Sequence, residues 1–181
     1  MYKLFESALK LDTDYCVKLN LLSKNKCCRL FFKFFSRIGD GILWYIIMLI
    51  LFLKFRDDAF LPLVHMAIVG CLGTIVYKVT KCFFNRPRPC HVNNQVSLNG
   101  NILDQFSFPS GHTLHAVIFS CILINYYPGS STLLIPITIF IALSRPVLGM
   151  HYPSDVLAGA ALGFFIYFIT MGYFYENIIY I

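Results

Sequence analysis

The stretch "FPSGHTLHAVIFSCILINYY", residues 108–127, places a short polar turn directly before an apolar run. An apolar run of this length indicates a buried helix or a helix in a membrane. The first N–H groups of a helix are unpaired and lie at the positive end of its dipole, so they bind anions. His112 lies among these N–H groups, where it can exchange a proton with a bound anion. The turn therefore predicts one corner of an anion site at a helix end.

The composition of the whole chain is that of a membrane protein. Of the 181 residues 57% are hydrophobic and 13% are charged, with a mean hydropathy of +0.67, whereas soluble domains are about a quarter charged. Backbone polar groups must be paired inside lipid, which favours helices. The apolar segments are roughly residues 41–55, 59–77, 113–127, 133–148 and 156–175. The sequence predicts an all-α integral membrane protein, a bundle of about five transmembrane helices.

The first 37 residues differ from the rest because they are strongly basic. They hold eight of the fifteen Lys and Arg residues of a chain whose net charge is +6. Residues 2–22 mix apolar and charged positions and predict an amphipathic helix on the membrane surface, with a soluble tail as the alternative. In a membrane protein this charge fits anionic lipid better than nucleic acid. We expect an interfacial region over 1–37 and a transmembrane domain over 38–181.

Three polar clusters lie at the ends of apolar segments and are predicted to share one membrane face. They are "KCFFNRPRP" at 81–89, "PSGH" at 109–112 and "SRPVLGMHYPSD" at 144–155. In the first cluster Pro87 and Pro89 cannot continue a helix, so Arg88 is held just beyond the second apolar segment. In the third, Ser154 is a suitable N-cap for the last segment.

The residue types in these clusters fit phosphoryl transfer. Singly, Lys81 and Arg88 are more often interfacial cations, and a lone His is more often a capping or packing residue, whereas Arg145 near an apolar helix end usually has a partner or a function. Together, cations and helix-end N–H groups neutralise a phosphate, and two histidines supply a nucleophile and an acid. A carboxylate next to one histidine can fix its tautomer. Because no carboxylate cluster is available for Mg²⁺, we predict no metal and no other cofactor.

With these residues in order, the chain resembles the type 2 phosphatidic acid phosphatase (PAP2) superfamily, whose pattern is K-x6-RP, PSGH and SR-x5-H-x3-D. The matching positions are Lys81, Arg88-Pro89, Pro109 to His112, Ser144-Arg145, His151 and Asp155. The motifs cover residues 81–155, and the helical pattern extends the resemblance to about residue 38. The first 37 residues carry no family motif.

The resemblance implies a role for each motif residue. The phosphate would be bound by Lys81, Arg88, Ser110, Gly111 and Arg145. His151 would attack phosphorus and form a phosphohistidine, with Asp155 orienting it. His112 would protonate the leaving oxygen and then activate water. The implied activity is metal-independent removal of phosphate from a lipid phosphate or pyrophosphate, of the undecaprenyl pyrophosphate, lipid A, phosphatidylglycerophosphate or phosphatidate class.

Several alternatives stay open at this point. A lipid phosphotransferase would use the same residues, and a non-catalytic scaffold or transporter would not need both histidines and Asp155. The resemblance implies a bacterial inner membrane and an extracytoplasmic active site, whereas the basic N-terminal region favours a cytoplasmic one. Cys82 and Cys90 flank one loop and could pair. The expected partners are the lipid substrate and membrane lipids, and the sequence predicts no oligomeric state.

Overall fold

The computed structural model describes residues 2–102 and 104–177, and this part of the chain is helical and contains no strand. The remaining residues, including 178–181 of the predicted transmembrane domain, lie outside the described residues. The helices are α1 (Tyr2–Leu21), α2 (Lys26–Ile38), α3 (Ile42–Phe55), α4 (Phe60–Phe84), α5 (Pro89–Val92), α6 (Gly111–Tyr126), α7 (Ser131–Val147) and α8 (Pro153–Asn177).

Helices α3, α4, α6, α7 and α8 coincide with the predicted apolar segments. The stretches long and apolar enough to cross a membrane are Ile42–Val92, which contains α3 and α4, Pro128–Val147 and Pro153–Phe174. Helix α6 is also apolar but shorter. The predicted all-α membrane architecture is confirmed, while the number of five crossings stays a prediction.

Helix α6 lies in the middle of the bundle and packs against α4, α7 and α8. Its side chains Leu114, Ile118 and Ile122 are completely buried. Two glycines let α8 approach it closely: a Cβ atom at Gly159 would lie 2.5 Å from the carbonyl oxygen of Ser110, and one at Gly163 2.6 Å from that of Leu114. The beginnings of α6 and α8 are therefore held together, which places their polar residues side by side.

The N-terminal region forms two helices. Helix α1 coincides with the helix that the sequence predicted over residues 2–22, and α2 is an additional helix. Helix α1 packs against α7 and α8, and Cys16 and Asn20 on α1 are buried there. The Asn20 side chain donates hydrogen bonds to the carbonyl oxygens of Ser97 (2.9 Å) and Val147 (3.0 Å). The side-chain oxygen of Asn20 accepts a hydrogen bond from the Ser97 N–H (2.8 Å). Helix α1 is thus part of the packed structure, and a position at the membrane interface stays a prediction.

All seven cysteines lie within the described residues, and each is a free thiol. The pair considered from the sequence, Cys82 and Cys90, is therefore not bonded in this structure.

Candidate active site

The three polar clusters meet at one end of the bundle. They border a cavity of about 720 Å³ between α3, α4, α6 and the polar loops. The motif residues on its wall are Lys81, Arg88, Gly111, His112, Arg145 and His151. Two further predicted site residues, Ser110 and Asp155, are completely buried and are not part of the wall.

Arg88 is buried and held in one orientation by the loops around it. Its Nε donates to the carbonyl oxygen of Asp104 (3.0 Å), and one terminal nitrogen donates to the Asp104 carboxylate (2.7 Å). The other terminal nitrogen donates to the carbonyl oxygen of Met150 (2.7 Å) and lies 3.3 Å from Nε2 of His151. Since proline at positions 87 and 89 stiffens this segment, the guanidinium is a preorganised donor.

Lys81, in the last turn of α4, shares a carboxylate with Arg88. Its Nζ donates to Asp104 (2.7 Å) and to the carbonyl oxygen of Phe106 (2.7 Å). Partial burial alone would raise the pKa of Asp104, but the hydrogen bonds and charges of Lys81 and Arg88 lower it overall. Asp104 belongs to none of the motifs in the sequence. The structure puts its carboxylate directly between two of the predicted phosphate-binding cations.

Arg145, near the end of α7, is the least satisfied cation of the site. It is 2% exposed, and one of its two terminal nitrogens donates to the Ser36 hydroxyl (2.6 Å). Its Nε has no hydrogen-bond partner. Among the described residues no carboxylate lies within ion-pair distance of it. Because burying an unpaired charge is costly, Arg145 indicates an anion site on the cavity wall.

His151 lies in the turn between α7 and α8 and is almost completely buried. Its Nδ1 lies 2.7 Å from the carbonyl oxygen of Ser107, so Nδ1 must carry the proton and donate it. Its Nε2, 3.3 Å from an Arg88 donor, is then the unprotonated nitrogen. Burial, followed by the positive charges of Arg145 and Arg88, lowers the pKa of His151 well below its usual value. The imidazole is therefore neutral, with a lone pair on Nε2.

Asp155 lies beside His151 but beyond hydrogen-bond distance of its ring. One of its oxygens lies 3.6 Å from Nδ1 of His151 and accepts the N–H of Tyr152 (2.9 Å), and the other accepts from Arg86 (2.8 Å). The nearest acceptor for Nδ1 is the carbonyl oxygen of Ser107, which no motif revealed. The orienting role of Asp155 stays a prediction.

Ser110 is bonded within the protein. Its N–H donates to the carbonyl oxygen of Asp155 (3.0 Å), and its hydroxyl lies 3.0 Å from that of Thr113. The N–H group that we expected to face an anion is therefore already paired, because α8 packs so closely on the beginning of α6. Phosphate binding by Ser110 stays a prediction, and in this structure Gly111 is the PSGH residue next to His112 on the cavity wall.

His112 has a carboxylate partner that sequence reasoning did not identify. Its Nε2 lies 2.5 Å from Asp40, in the turn between α2 and α3. Partial burial would raise the pKa of Asp40, but the hydrogen bond and charge of His112, followed by Arg145, lower it overall. The signal in the sequence was a lone acid between two glycines, "GDG", just before an apolar segment.

A second unpredicted network lies behind His151 and reaches α1. Arg86 donates to Asp155 (2.8 Å), to the Ser154 hydroxyl (2.7 Å) and to Asp12 of α1 (2.7 Å). Asp12 also accepts the Ser154 N–H (2.9 Å), one of the unpaired donors at the beginning of α8. The side chain of Arg86 therefore forms ion pairs with two carboxylates of the protein itself.

These features define an all-helical membrane protein with a cavity lined by cationic side chains at one end of its bundle. The family model described as the PAP2 superfamily matches residues 59–179. The chain belongs to the PAP2 superfamily.

Individual relatives are named as phosphatases of lipid phosphates. The chain is 37% identical over 86 residues to the decaprenylphosphoryl-5-phosphoribose phosphatase of Mycobacterium tuberculosis, covering 46% of this chain and 45% of that protein. It is 28% identical over 141 residues to the undecaprenyl-diphosphatase of Sulfolobus acidocaldarius, covering 76% of this chain and 66% of that protein. The chain thus spans less than half the length of the mycobacterial relative.

The fold is similar to the crystal structure of a transmembrane PAP2 type phosphatidylglycerolphosphate phosphatase from Bacillus subtilis. The TM-score is 0.72, with 22% sequence identity, and the match covers 94% of this chain and 88% of that chain.

Proposed function

We propose that this chain is a metal-independent membrane lipid phosphatase that removes phosphate from a lipid phosphate or pyrophosphate through a phosphohistidine. The observation that carries the proposal is Arg145, a buried cation whose Nε has no partner, on the wall of a cavity that also holds Lys81 and Arg88. Arginine presents forked donors that fit phosphate oxygens. A phosphoryl group bound here satisfies the unpaired nitrogen.

The cavity suits a substrate with one charged end and one apolar end. Besides the cations its wall includes the apolar side chains of Trp44, Met48, Met66, Ile75 and Phe119, on α3, α4 and α6. A phosphate at the cationic end leaves the attached hydrocarbon chain along this apolar wall. This division favours a lipid phosphate over a small soluble phosphate ester.

The first chemical step is attack by the unprotonated Nε2 of His151. Its lone pair forms an N–P bond, the P–O bond to the leaving group breaks, and the electron pair goes to the leaving oxygen. That oxygen takes a proton from His112. The developing charge on the phosphoryl oxygens is stabilised by the cations on the cavity wall, which is the main work of the protein in such a reaction.

The second step releases phosphate and restores the protein. A water molecule gives a proton to His112 and its oxygen attacks phosphorus. The N–P bond breaks, its electron pair returns to Nε2 of His151, and inorganic phosphate leaves. His112 thereby regains the proton that it gave to the leaving oxygen in the first step.

The names of the relatives support this substrate class, and we propose the same location as the resemblance implies, a bacterial inner membrane with the site on the extracytoplasmic face. The basic N-terminal region opposes this orientation. However, α1 packs against α7 and α8. This packing, together with lipid headgroups, would hold the basic residues of the N-terminal region on the extracytoplasmic face.

The test is phosphate release by the purified full chain in detergent from undecaprenyl pyrophosphate, lipid A, phosphatidylglycerophosphate and phosphatidate. We expect release from at least one of these lipids, unchanged by EDTA, because the cations of the chain itself supply the charge. A strict Mg²⁺ requirement would contradict the metal-independent mechanism. Phosphate appearing only on an added acceptor lipid would indicate a phosphotransferase, and no reaction with any lipid would favour a scaffold.

A further inference from the structure

The contact between His112 and Asp40 joins two parts of the chain that are 72 residues apart. Asp40 Oδ1 lies 2.5 Å from His112 Nε2, and both residues border the cavity that holds the cations. The Asp40 side chain is 19% exposed and that of His112 is 11% exposed. The side chains are thus partly shielded from water, which strengthens a charge-assisted hydrogen bond.

The turn that carries Asp40 has a fixed backbone. Gly41 has φ +118°, a left-handed value that favours glycine, and a Cβ atom at Gly39 would lie 3.0 Å from Ile141 and 3.3 Å from the carbonyl oxygen of Phe35. The second oxygen of Asp40 accepts from Arg37 (3.2 Å). The carboxylate is therefore held toward His112 from both sides of the turn.

An acid at this position needs help to hold its proton. Burial, followed by the positive charge of Arg145 in the same cavity, lowers the pKa of His112 to about 4. A carboxylate in hydrogen-bond contact has the opposite effect because it stabilises the imidazolium. Asp40 stays ionised for this purpose, since its pKa is lowered.

We propose that Asp40 is the positioning residue of His112: it holds Nε2–H and leaves Nδ1 to exchange the proton with the leaving oxygen and then with water. This inference rests on the proposed function. It gives the two histidines separate carboxylate partners, of which the second lies outside the motifs of the family pattern.

The test compares two leaving groups in single-turnover formation of phosphohistidine. A lipid alkoxide is a strong base and needs a proton, whereas p-nitrophenolate needs little help. We expect Asp40→Asn to slow phosphohistidine formation by about tenfold to a hundredfold with a lipid monophosphate and by less than about threefold with p-nitrophenyl phosphate. His112→Ala is expected to show the same selectivity, and the double variant no further loss, because the two residues act as one unit.

Two controls separate this role from a structural one. Asp57→Asn removes an exposed carboxylate from the turn between α3 and α4, at the opposite end of α3 from Asp40, and is expected to leave both rates within about twofold. Asp40→Glu retains a carboxylate and should keep the wild-type ratio of the two rates, and it decides the matter if Asp40→Asn does not fold. Equal slowing with both substrates in either Asp40 variant, or additive losses in the double variant, would overturn the proposal. Failure of the proposed function itself looks different, because the wild-type chain would then form no phosphohistidine with any substrate.

Discussion

The two histidines of the site have opposite surroundings. His151 is enclosed: its Nδ1 is bound to a backbone carbonyl of Ser107, its Nε2 faces Arg88, and the network behind it reaches α1. His112 lies at the beginning of α6 on the cavity wall, and its side chain contacts the carboxylate of Asp40.

The difference corresponds to what each imidazole is proposed to do. A nucleophile needs one fixed tautomer and a neutral ring, and a backbone carbonyl provides the first without adding charge. An acid that later acts as a base must exist in both protonation states. An ionised carboxylate next to it stabilises the protonated, positively charged imidazole. The comparison therefore predicts that variants around His151 act independently of the leaving group and variants around His112 do not.

The largest expected effect is that of His151→Ala. Without Nε2 there is no atom to form the N–P bond, so we expect a loss of at least about 10⁴-fold in phosphate release. No phosphohistidine should be trapped with either a lipid monophosphate or p-nitrophenyl phosphate. The measurement is acid-labile phosphate on the protein in a single turnover, with His112→Ala as the matched variant. The latter should still form phosphohistidine with p-nitrophenyl phosphate, and near-normal rates in His151→Ala would refute the nucleophile assignment.

Much of this site could be predicted from the sequence because its chemistry lies in short local patterns. Proline after Arg88 and the apolar runs around the motifs place the cations and histidines at helix ends, where the structure finds them. The all-α architecture follows from the need to pair backbone groups in lipid. These inferences use only neighbours along the chain.

What could not be predicted depends on contacts between distant segments. Neither Asp40 nor Asp12 belongs to a motif that names a partner, and the packing of α1 and of the α2–α3 turn brings both acids to the site. Ser110 shows the same limit from the other side. Its N–H is a free helix-end donor in any local argument, and the close approach of α8 pairs it with the carbonyl oxygen of Asp155.

Arg145→Gln is expected to have the second largest effect on phosphohistidine formation, and the effect should not depend on the leaving group. Arg145 shares the cavity with both histidines and has an unpaired Nε. Losing one preorganised charge donor for the phosphoryl oxygens should slow phosphohistidine formation about a hundredfold. The slowing should be equal for a lipid monophosphate and for p-nitrophenyl phosphate, because the phosphoryl group is common to both.

Two further variants test whether charge or geometry matters at this position. Arg145→Lys keeps the charge but loses the forked donors and should fall between the wild type and Arg145→Gln. Lys78→Gln removes an exposed charge one turn before Lys81 on α4 and should leave the rate unchanged. A rate in Arg145→Gln close to that of the wild type would contradict the assignment of this residue to the phosphate.

The smallest effect is expected from Asp12→Asn, which tests the network behind His151. Asp12 accepts hydrogen bonds from Arg86 and from the Ser154 N–H at the beginning of α8, and Arg86 in turn donates to Asp155. The amide oxygen of the substituted side chain still accepts the Ser154 N–H, but the ion pair with Arg86 is lost. The charge of Arg86 then acts on Asp155 alone. We expect phosphohistidine formation to slow by about threefold to tenfold, since partly buried pairs of this kind contribute modestly.

The leaving-group dependence decides what this loss means. Because Asp12 acts through Asp155 on the nucleophile, its loss should be the same for a lipid monophosphate and for p-nitrophenyl phosphate, in contrast to Asp40→Asn. Asp14→Asn changes an exposed carboxylate two residues further along α1 and provides the matched control with no expected effect. If Asp12→Asn instead slowed only the lipid monophosphate, α1 would act on the side of His112, and the division of the site into two separately supported histidines would be wrong.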